Sequence, residues 1–357
     1  MTAFLDINLD SVVANWRLLA QINHIGETAA VVKADAYGLG AARVAPALAA
    51  AGCKSFFAAH LAEAVALRPL LPATQIFTLN GLAPHAAADF VAHGITPVLS
   101  SLQDIALWRA QAQILGRVLP ACLHLETGLH RLALDARELA ILAADPALLA
   151  GIKVETIMSH LANAEMPEDE CNQQQLAAFL AQAPQFAGAR RSIANSPGSF
   201  LGPDFQLELT RPGAALYGLN TSPRQPRKMH SVLRLAAPIL QIHELSVGGR
   251  VGYGGLWTAR RPSRIATIGV GYGDGLLRSL SNHGFAYFDD TPVPLVGRVS
   301  MDLATFDVTD VQAMPGDLLV LLNDKHGADE LGHEAGSIGY EILTSLGRRY
   351  QRRYIGG

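Results

Sequence analysis

From about residue 28 to residue 211 the sequence keeps returning to one unit: a short apolar run, a loop, then an alanine- and leucine-rich stretch with helical spacing. No other feature constrains the fold as strongly. Consecutive strands separated by a helix-length crossover pair in parallel. Strands are read at Ala29–Lys33, Ser55–Ala59, Gln75–Leu79, Ile95–Leu99, Leu119–Glu126, Gly151–Ser159, Ser192–Asn195 and Glu208–Arg211. Helical segments are read at Ala41–Ala51, Leu61–Pro69, Leu102–Leu115, Ala136–Ala144 and Glu170–Ala183. Eight strand–helix units in about 200 residues close most economically into a (β/α)8 barrel. An open doubly wound sheet is the alternative the pattern leaves standing.

After about residue 230 the texture changes. "VLRLAAPILQIHEL", "RIATIGVG", "TPVPLVG", "DLATFDVT" and "DLLVLL" are β-type runs broken by Gly and Pro. They describe a second, mainly β domain, with a helical stretch at about Glu334–Leu346. The expected division is residues 1–8 as a strand packed with the β domain, 9–230 as the barrel and 231–357 as the β domain.

Half of the 357 residues are apolar and 17% are charged, so disorder is excluded and a large interior is expected. A net charge of -3 gives no electrostatic case for nucleic acid or an anionic membrane. The basic stretch "RRYQRRY" (348–354) reads as arginines on a last strand or interface. No run of eighteen apolar residues and no signal-peptide pattern is present, so no membrane partner is expected. Cys53, Cys122 and Cys171 are few, odd in number and far apart, which suits packing in a reducing compartment. These features together predict a soluble cytoplasmic protein.

In a barrel, residues just past the strand C-termini share one rim, and chemistry gathers there. Lys33 and Tyr37 follow the first strand, Arg131 the fifth, His160 the sixth, Asn195 and Ser196 the seventh, and Arg211 the eighth. Singly, each reads as an ordinary cap or turn residue; agreement of five strands on one rim carries the inference. A lysine at a barrel mouth, beside the turns "NSPGS" and "RPGA", suits a Schiff base to an aldehyde cofactor with a phosphate tail. Such turns present N–H groups and hydroxyls to an anion. No Walker A or GxGxxG pattern follows a strand, and "GYGG" (252–255) and "GYGDG" (271–275) read as turns. Pyridoxal 5'-phosphate is the cofactor that needs this combination. His326 and His333, in "KHGADELGH", read as a solvated loop rather than a metal site.

"AVVKADAYGLG" resembles the cofactor-lysine signature of the alanine racemases, the barrel-type pyridoxal-phosphate family. "ETGLHRL", "MSHLA", "NSPGS", "RPGAALYGL", "VGYGGLWTA", "GVGYGDGLLR", "LVGRVSMDL" and "SIGYEILTSLG" are similar to family landmarks, in family order. The resemblance implies racemisation of L- and D-alanine, supplying D-alanine for peptidoglycan. Lys33 would carry the cofactor and act as one base. Tyr253, from the β domain of a partner subunit, would be the other. His160, in a hydrogen-bonded network with Arg211, would assist Tyr253, since a free tyrosine titrates near ~10. Arg211 would face the pyridine nitrogen and, staying protonated, leave the ring a weak electron sink. Arg131 and the backbone N–H of Met301 would bind the substrate carboxylate. Tyr37, Asn195, Ser196, Gly213, Ala214 and Tyr340 match cofactor-binding positions, and Tyr272, Asp302 and Tyr340 match residues lining substrate access. Tyr272, Met301 and Asp302 would also come from the partner, making the protein a homodimer with shared sites.

Two positions depart from the family pattern. His124 stands where many members have a carbamylated lysine that orients the arginine matching Arg131. Ser300 stands where a cysteine often precedes "MD". Three other readings compete with this one: a non-catalytic carrier of the cofactor, a barrel-type decarboxylase and a racemase of serine or other small amino acids. The long β region with Tyr253 opposes the first. The lack of a cysteine after residue 171 opposes the second. Serine, one hydroxyl away from alanine, keeps the third open.

Overall fold

A computed structural model of the chain describes residues 2–225 and 228–357. Two compact units emerge, one of residues 13–36, 40–225 and 228–229, the other of residues 2–12, 37–39 and 230–357.

The first unit is the (β/α)8 barrel. Strands Ala30–Val31, Ser55–Ala58, Gln75–Thr78, Thr96–Leu99, Leu119–His124, Ile152–Met158 and Arg190–Ser192 pair in sequence order, all parallel. Leu209–Thr210 is the eighth. It pairs in parallel with Glu27–Thr28 and receives a bond from Ala29 N–H to Thr210 O at 2.9 Å. Arg211 N–H to Ala194 O, 2.9 Å, ties it to the seventh. The sheet thus closes on itself. The strands read as near-continuous apolar runs because both faces are covered, outside by helices and inside by opposing strands. Phe56, Phe57, Phe77, Val98, Cys122, Leu123 and Ile157 are fully buried, and Phe57 stacks on Phe77 with centroids 4.6 Å apart.

Helices Ala41–Ala50, Leu61–Leu67, Leu102–Leu115, Ala136–Ala144 and Glu170–Gln182 stand where the spacing puts them. Three expectations need correction. The seventh strand runs Arg190–Ser192 rather than Ser192–Asn195. Its charged start looks like a loop in sequence, but Arg190 bonds Glu27 and Gln75, and Arg191 bonds Glu208. The first strand stops at Val31, before Lys33. The helical stretch at 334–346 is two helices, Ala328–Glu334 and Gly339–Ser345. Gly336, at φ +66°, makes the left-handed step between them that other residues avoid. Helices Leu9–Ile22 and Ala87–Ala92 are additional to the sequence reading.

The second unit is built on an antiparallel-rich sheet. Leu233–Leu245 is its spine. Its first half pairs with Phe4–Asn8 and Leu318–Leu322, and its second half with Ser263–Ile268, after a register shift between Ile239 and Gln241. Phe4–Asn8 also pairs in parallel with the last strand, Gln351–Ile355. The basic stretch belongs to this strand and its approach: Arg353 pairs with Asp6, and Arg352 bonds the carbonyl of Leu346 at 3.2 Å. Among the described residues, no helix is long and apolar enough to cross a membrane.

Candidate active site

At the C-terminal end of the first barrel strand the backbone reverses hand. Ala34, Asp35, Ala36 and Tyr37 lie at φ between 52° and 55°, a left-handed helical turn beginning after Lys33. Each such residue costs about 1–2 kcal/mol, roughly 4–8 for the four. Small side chains at 34 and 36 lessen the crowding, which accounts for the two alanines beside the lysine. Local bonds hold the turn: Ala36 N–H to Val32 O at 2.9 Å, Gly40 N–H to Asp35 O at 2.8 Å, and Ala41 N–H to the Asp35 carboxylate at 2.7 Å. Ala34 N–H donates to the Glu63 carboxylate at 2.7 Å. Strain retained at one loop makes this turn a candidate functional position.

The other rim residues follow their strands. His124 ends the fifth strand and is 5% exposed, with Nδ1 buried and unpaired. Two residues on, the Glu126 carboxylate accepts from Gly128 N–H at 2.5 Å and His130 N–H at 3.0 Å, folding the loop that carries Arg131 to an exposed position. His160 follows the sixth strand. Gln175 accepts from Ala162 N–H and donates to His160 O at 3.0 Å and to Thr127 Oγ1 at 3.2 Å, fixing both loops. Arg211, 4% exposed, bonds the Ser159 carbonyl at 2.5 Å and the Ser192 hydroxyl. Its guanidinium acts on the His160 ring through charge. Ser196 Oγ accepts from Gly213 N–H at 2.9 Å and Ala215 N–H at 3.2 Å, so two adjacent turns converge on one hydroxyl beside Ala214. Asn195 Oδ1 accepts from Gly198 N–H at 3.0 Å.

Electrostatically, Lys33, Arg131, Arg211, His124 and His160 form one cluster. Burial, then Arg131, lowers the Lys33 pKa, and Glu63 partly opposes them. Burial, then Arg211 and Arg131, drives His124 down to about 3. Burial followed by Arg211, Arg131, His124 and Lys33 pushes His160 well below the usual histidine range. Burial brings Arg211 to about 10, so it still carries its charge at neutral pH. The result is two fixed cations, two neutral imidazoles and an amine with reduced proton affinity. Such a cluster calls for an anion.

The remaining sequence-predicted residues belong to the second unit. Tyr37 is buried, its pKa pushed up to about 12 by burial, and its ring centre is 6.3 Å from that of Tyr340. Tyr253 lies 71% exposed on a single turn, Tyr253–Gly255. Tyr272 and Met301 are exposed, and their loops are joined: Tyr272 N–H bonds Ser300 O at 3.0 Å and Gly273 N–H bonds Met301 O at 2.9 Å. Asp302 is also exposed and pairs with Arg349 at 2.6 Å. Arg349 grips Asp274 as well, at 2.7 Å, and Asp274 in turn accepts from Gly271 N–H. His326 is a buried histidine, not part of a solvated loop: its ring nitrogens face Leu321 O at 3.1 Å and Glu334 at 2.8 Å. An apolar strand close before it and a helix just after it bury what looks in sequence like a polar connection.

The sequence reading missed Glu63, Ser159, Ser192 and Gln175. Ser192 ends a strand, Ser159 follows one, and Glu63 and Gln175 lie on helices, yet only the fold brings these side chains together.

Residues 7–221 match the profile of the family described as alanine racemase, N-terminal domain, and residues 232–354 that of alanine racemase, C-terminal domain. Among curated proteins, an alanine racemase of Acidiphilium cryptum is 53% identical over 98% of this chain and 97% of its own. One from Brucella canis is 44% identical over 98% and 93%. Among solved structures, the alanine racemase of Bartonella henselae, with covalently bound pyridoxal phosphate, superposes with a TM-score of 0.96 at 41% identity, covering 99% of this chain and 100% of that one. The chain belongs to the alanine racemase family.

Proposed function

We propose that the protein interconverts L-alanine and D-alanine with pyridoxal 5'-phosphate, using Lys33 of one subunit and Tyr253 of a second copy as the two bases. The observation that carries this reading is the Lys33 amine. Its proton affinity is lowered by burial and Arg131, at the start of a strained turn on a barrel rim rich in fixed positive charge. That charge fits an anionic aldehyde such as the group the Bartonella relative holds covalently. When bound, the cofactor withdraws electrons from the substrate's α-carbon, which makes its proton removable.

The residues divide the remaining work. Lys33 would hold the cofactor covalently and, once released to substrate, take or return a proton at Nζ. A lowered pKa leaves more of the amine neutral near pH 7, as a general base requires. Ser196, with the turn Gly213–Ala215, Asn195, Tyr37 and Tyr340 would hold the phosphate end. Arg211, keeping its proton, would withhold one from the pyridine nitrogen of the bound cofactor and so limit side reactions that need a strong electron sink. Arg131 and the Met301 N–H would orient the substrate carboxylate. Racemisation needs proton donors on both faces of the α-carbon, and Tyr253 of a partner would serve the second. Tyr272 and Asp302 would line the approach. Exposure of Tyr253, Leu256, Tyr272, Met301 and Leu303 supports a second copy covering these side chains. The reading extends to a cytoplasmic homodimer supplying D-alanine for peptidoglycan, consistent with three free cysteines.

Chiral analysis of L-alanine and, separately, L-serine in heavy water tests the proposal. D-alanine carrying α-deuterium, formed well ahead of D-serine, is expected. Faster serine turnover would move the activity to a serine racemase. Cofactor-loaded protein that forms neither product would sink it.

A further inference from the structure

We infer that Glu63 is a positioning residue for Lys33: its carboxylate bridges the left-handed turn to the next barrel strand and supplies a counter-charge to the amine. A glutamate in the first turn of a helix commonly folds back onto the backbone at the helix start, and one oxygen does so here. Glu63 Oε2 accepts from Ala59 N–H at 2.7 Å and His60 N–H at 3.2 Å. Capping its own helix requires nothing more. Oε1 instead leaves the helix and accepts from Ala34 N–H at 2.7 Å, the amide immediately after Lys33. One carboxylate therefore ties the ends of the first two strands at the point where the chain reverses hand. Ala34 is the first of four consecutive left-handed residues, and Glu63 satisfies the donor that this reversal turns away from the strand.

Charge follows the same geometry. The ionisable groups acting on Lys33 are Arg131, which disfavours its proton, and Glu63, which favours it; His160 is coupled to the same amine. Glu63 thus partly offsets the loss of proton affinity that burial and Arg131 impose, while its bond to Ala34 N–H fixes the backbone next to the lysine. The inference rests on the assignment of Lys33 as the reactive amine.

Reductive methylation of the full chain, freed of cofactor, tests it. Formaldehyde and cyanoborohydride would be applied across a pH series, with the Lys33 peptide quantified by mass spectrometry and backbone hydrogen exchange followed at Ala34. Glu63→Gln should lower the pH midpoint of Lys33 methylation by about half a unit, making the neutral amine roughly threefold more abundant below the midpoint. Exchange at Ala34 should rise as the bridge weakens. Glu63→Asp keeps the charge on a shorter arm, so exchange should rise while the midpoint stays nearer that of the unmodified protein. An unchanged midpoint in the Glu63→Gln protein would overturn the inference. If Lys33 of the unmodified protein titrates with the surface lysines Lys54 and Lys153, the assignment of Lys33 itself fails, whatever Glu63 does.

Discussion

Replacing Ser196 by alanine gives a prediction whose size follows from the hydrogen bonds. Ser196 Oγ is the acceptor for two buried N–H groups, Gly213 at 2.9 Å and Ala215 at 3.2 Å, and the serine is 3% exposed. Ser196→Ala removes one oxygen and creates almost no cavity, so packing loss is minor. The cost is two stranded donors, each about 1–3 kcal/mol when buried, giving roughly 2–6 kcal/mol for the pair. The lower end applies if water reaches one of them. Urea unfolding of cofactor-free protein, read by the barrel tryptophans Trp16 and Trp108, would measure it. Pyridoxal phosphate at a fixed concentration should widen the gap between variant and parent, because a variant lacking one phosphate contact binds the cofactor more weakly and gains less stability from it. A cofactor-free variant within about 0.5 kcal/mol of the parent would refute the reasoning. A gap that the cofactor leaves untouched would remove Ser196 from the phosphate site.

Other consequences follow from the same geometry. Arg131 lowers the Lys33 pKa, so Arg131→Ala should raise it and move the acidic limb of the kcat/KM profile to higher pH, besides weakening alanine binding; a limb that stays in place would detach Arg131 from Lys33. Lys33→Ala and Tyr253→Phe proteins should each be nearly inactive. Mixing them under subunit exchange should recover up to about a quarter of parental activity, since half the dimers regain one complete site; no recovery would argue against sites shared between copies. His326→Leu leaves Glu334 without its ring partner and should cost about 1.5–3 kcal/mol of stability, checked by denaturant unfolding. Gly38→Ala places a Cβ 2.3 Å from Leu343 O at φ +82°, so its melting temperature should fall by several degrees, and an unchanged value would contradict that close approach.

The sequence by itself pointed to a parallel α/β unit, a barrel or an open doubly wound sheet, followed by a β unit, and to a set of candidate residues beyond the strand ends. Those follow from local rules: apolar runs alternating with helical spacing impose parallel crossovers, and a strand's end marks where its next polar residue emerges. Lys33, His160 and Arg211 stood out as candidates for that reason, whereas Arg131, several residues beyond its strand, depended on the resemblance of "ETGLHRL" to a family landmark. Tertiary structure decided what long-range contacts alone can set. Arg190–Ser192 is a strand because Glu27 and Gln75, distant in sequence, receive the Arg190 charge. His326 is buried in a stretch that reads as polar loop, its ring 5.6 Å from that of Tyr287, which is distant in sequence. Four left-handed residues after Lys33 have no single-residue signature, since alanine rarely adopts that backbone; Asp35 and Gly40 hold them by local bonds, and Glu63 by a bond that exists only once the neighbouring strand is in place. Proton affinities belong to the fold as well. Neutral His124, neutral His160 and a weakened Lys33 arise from burial beside two arginines, and neither burial nor proximity is a property of a residue's neighbours in sequence.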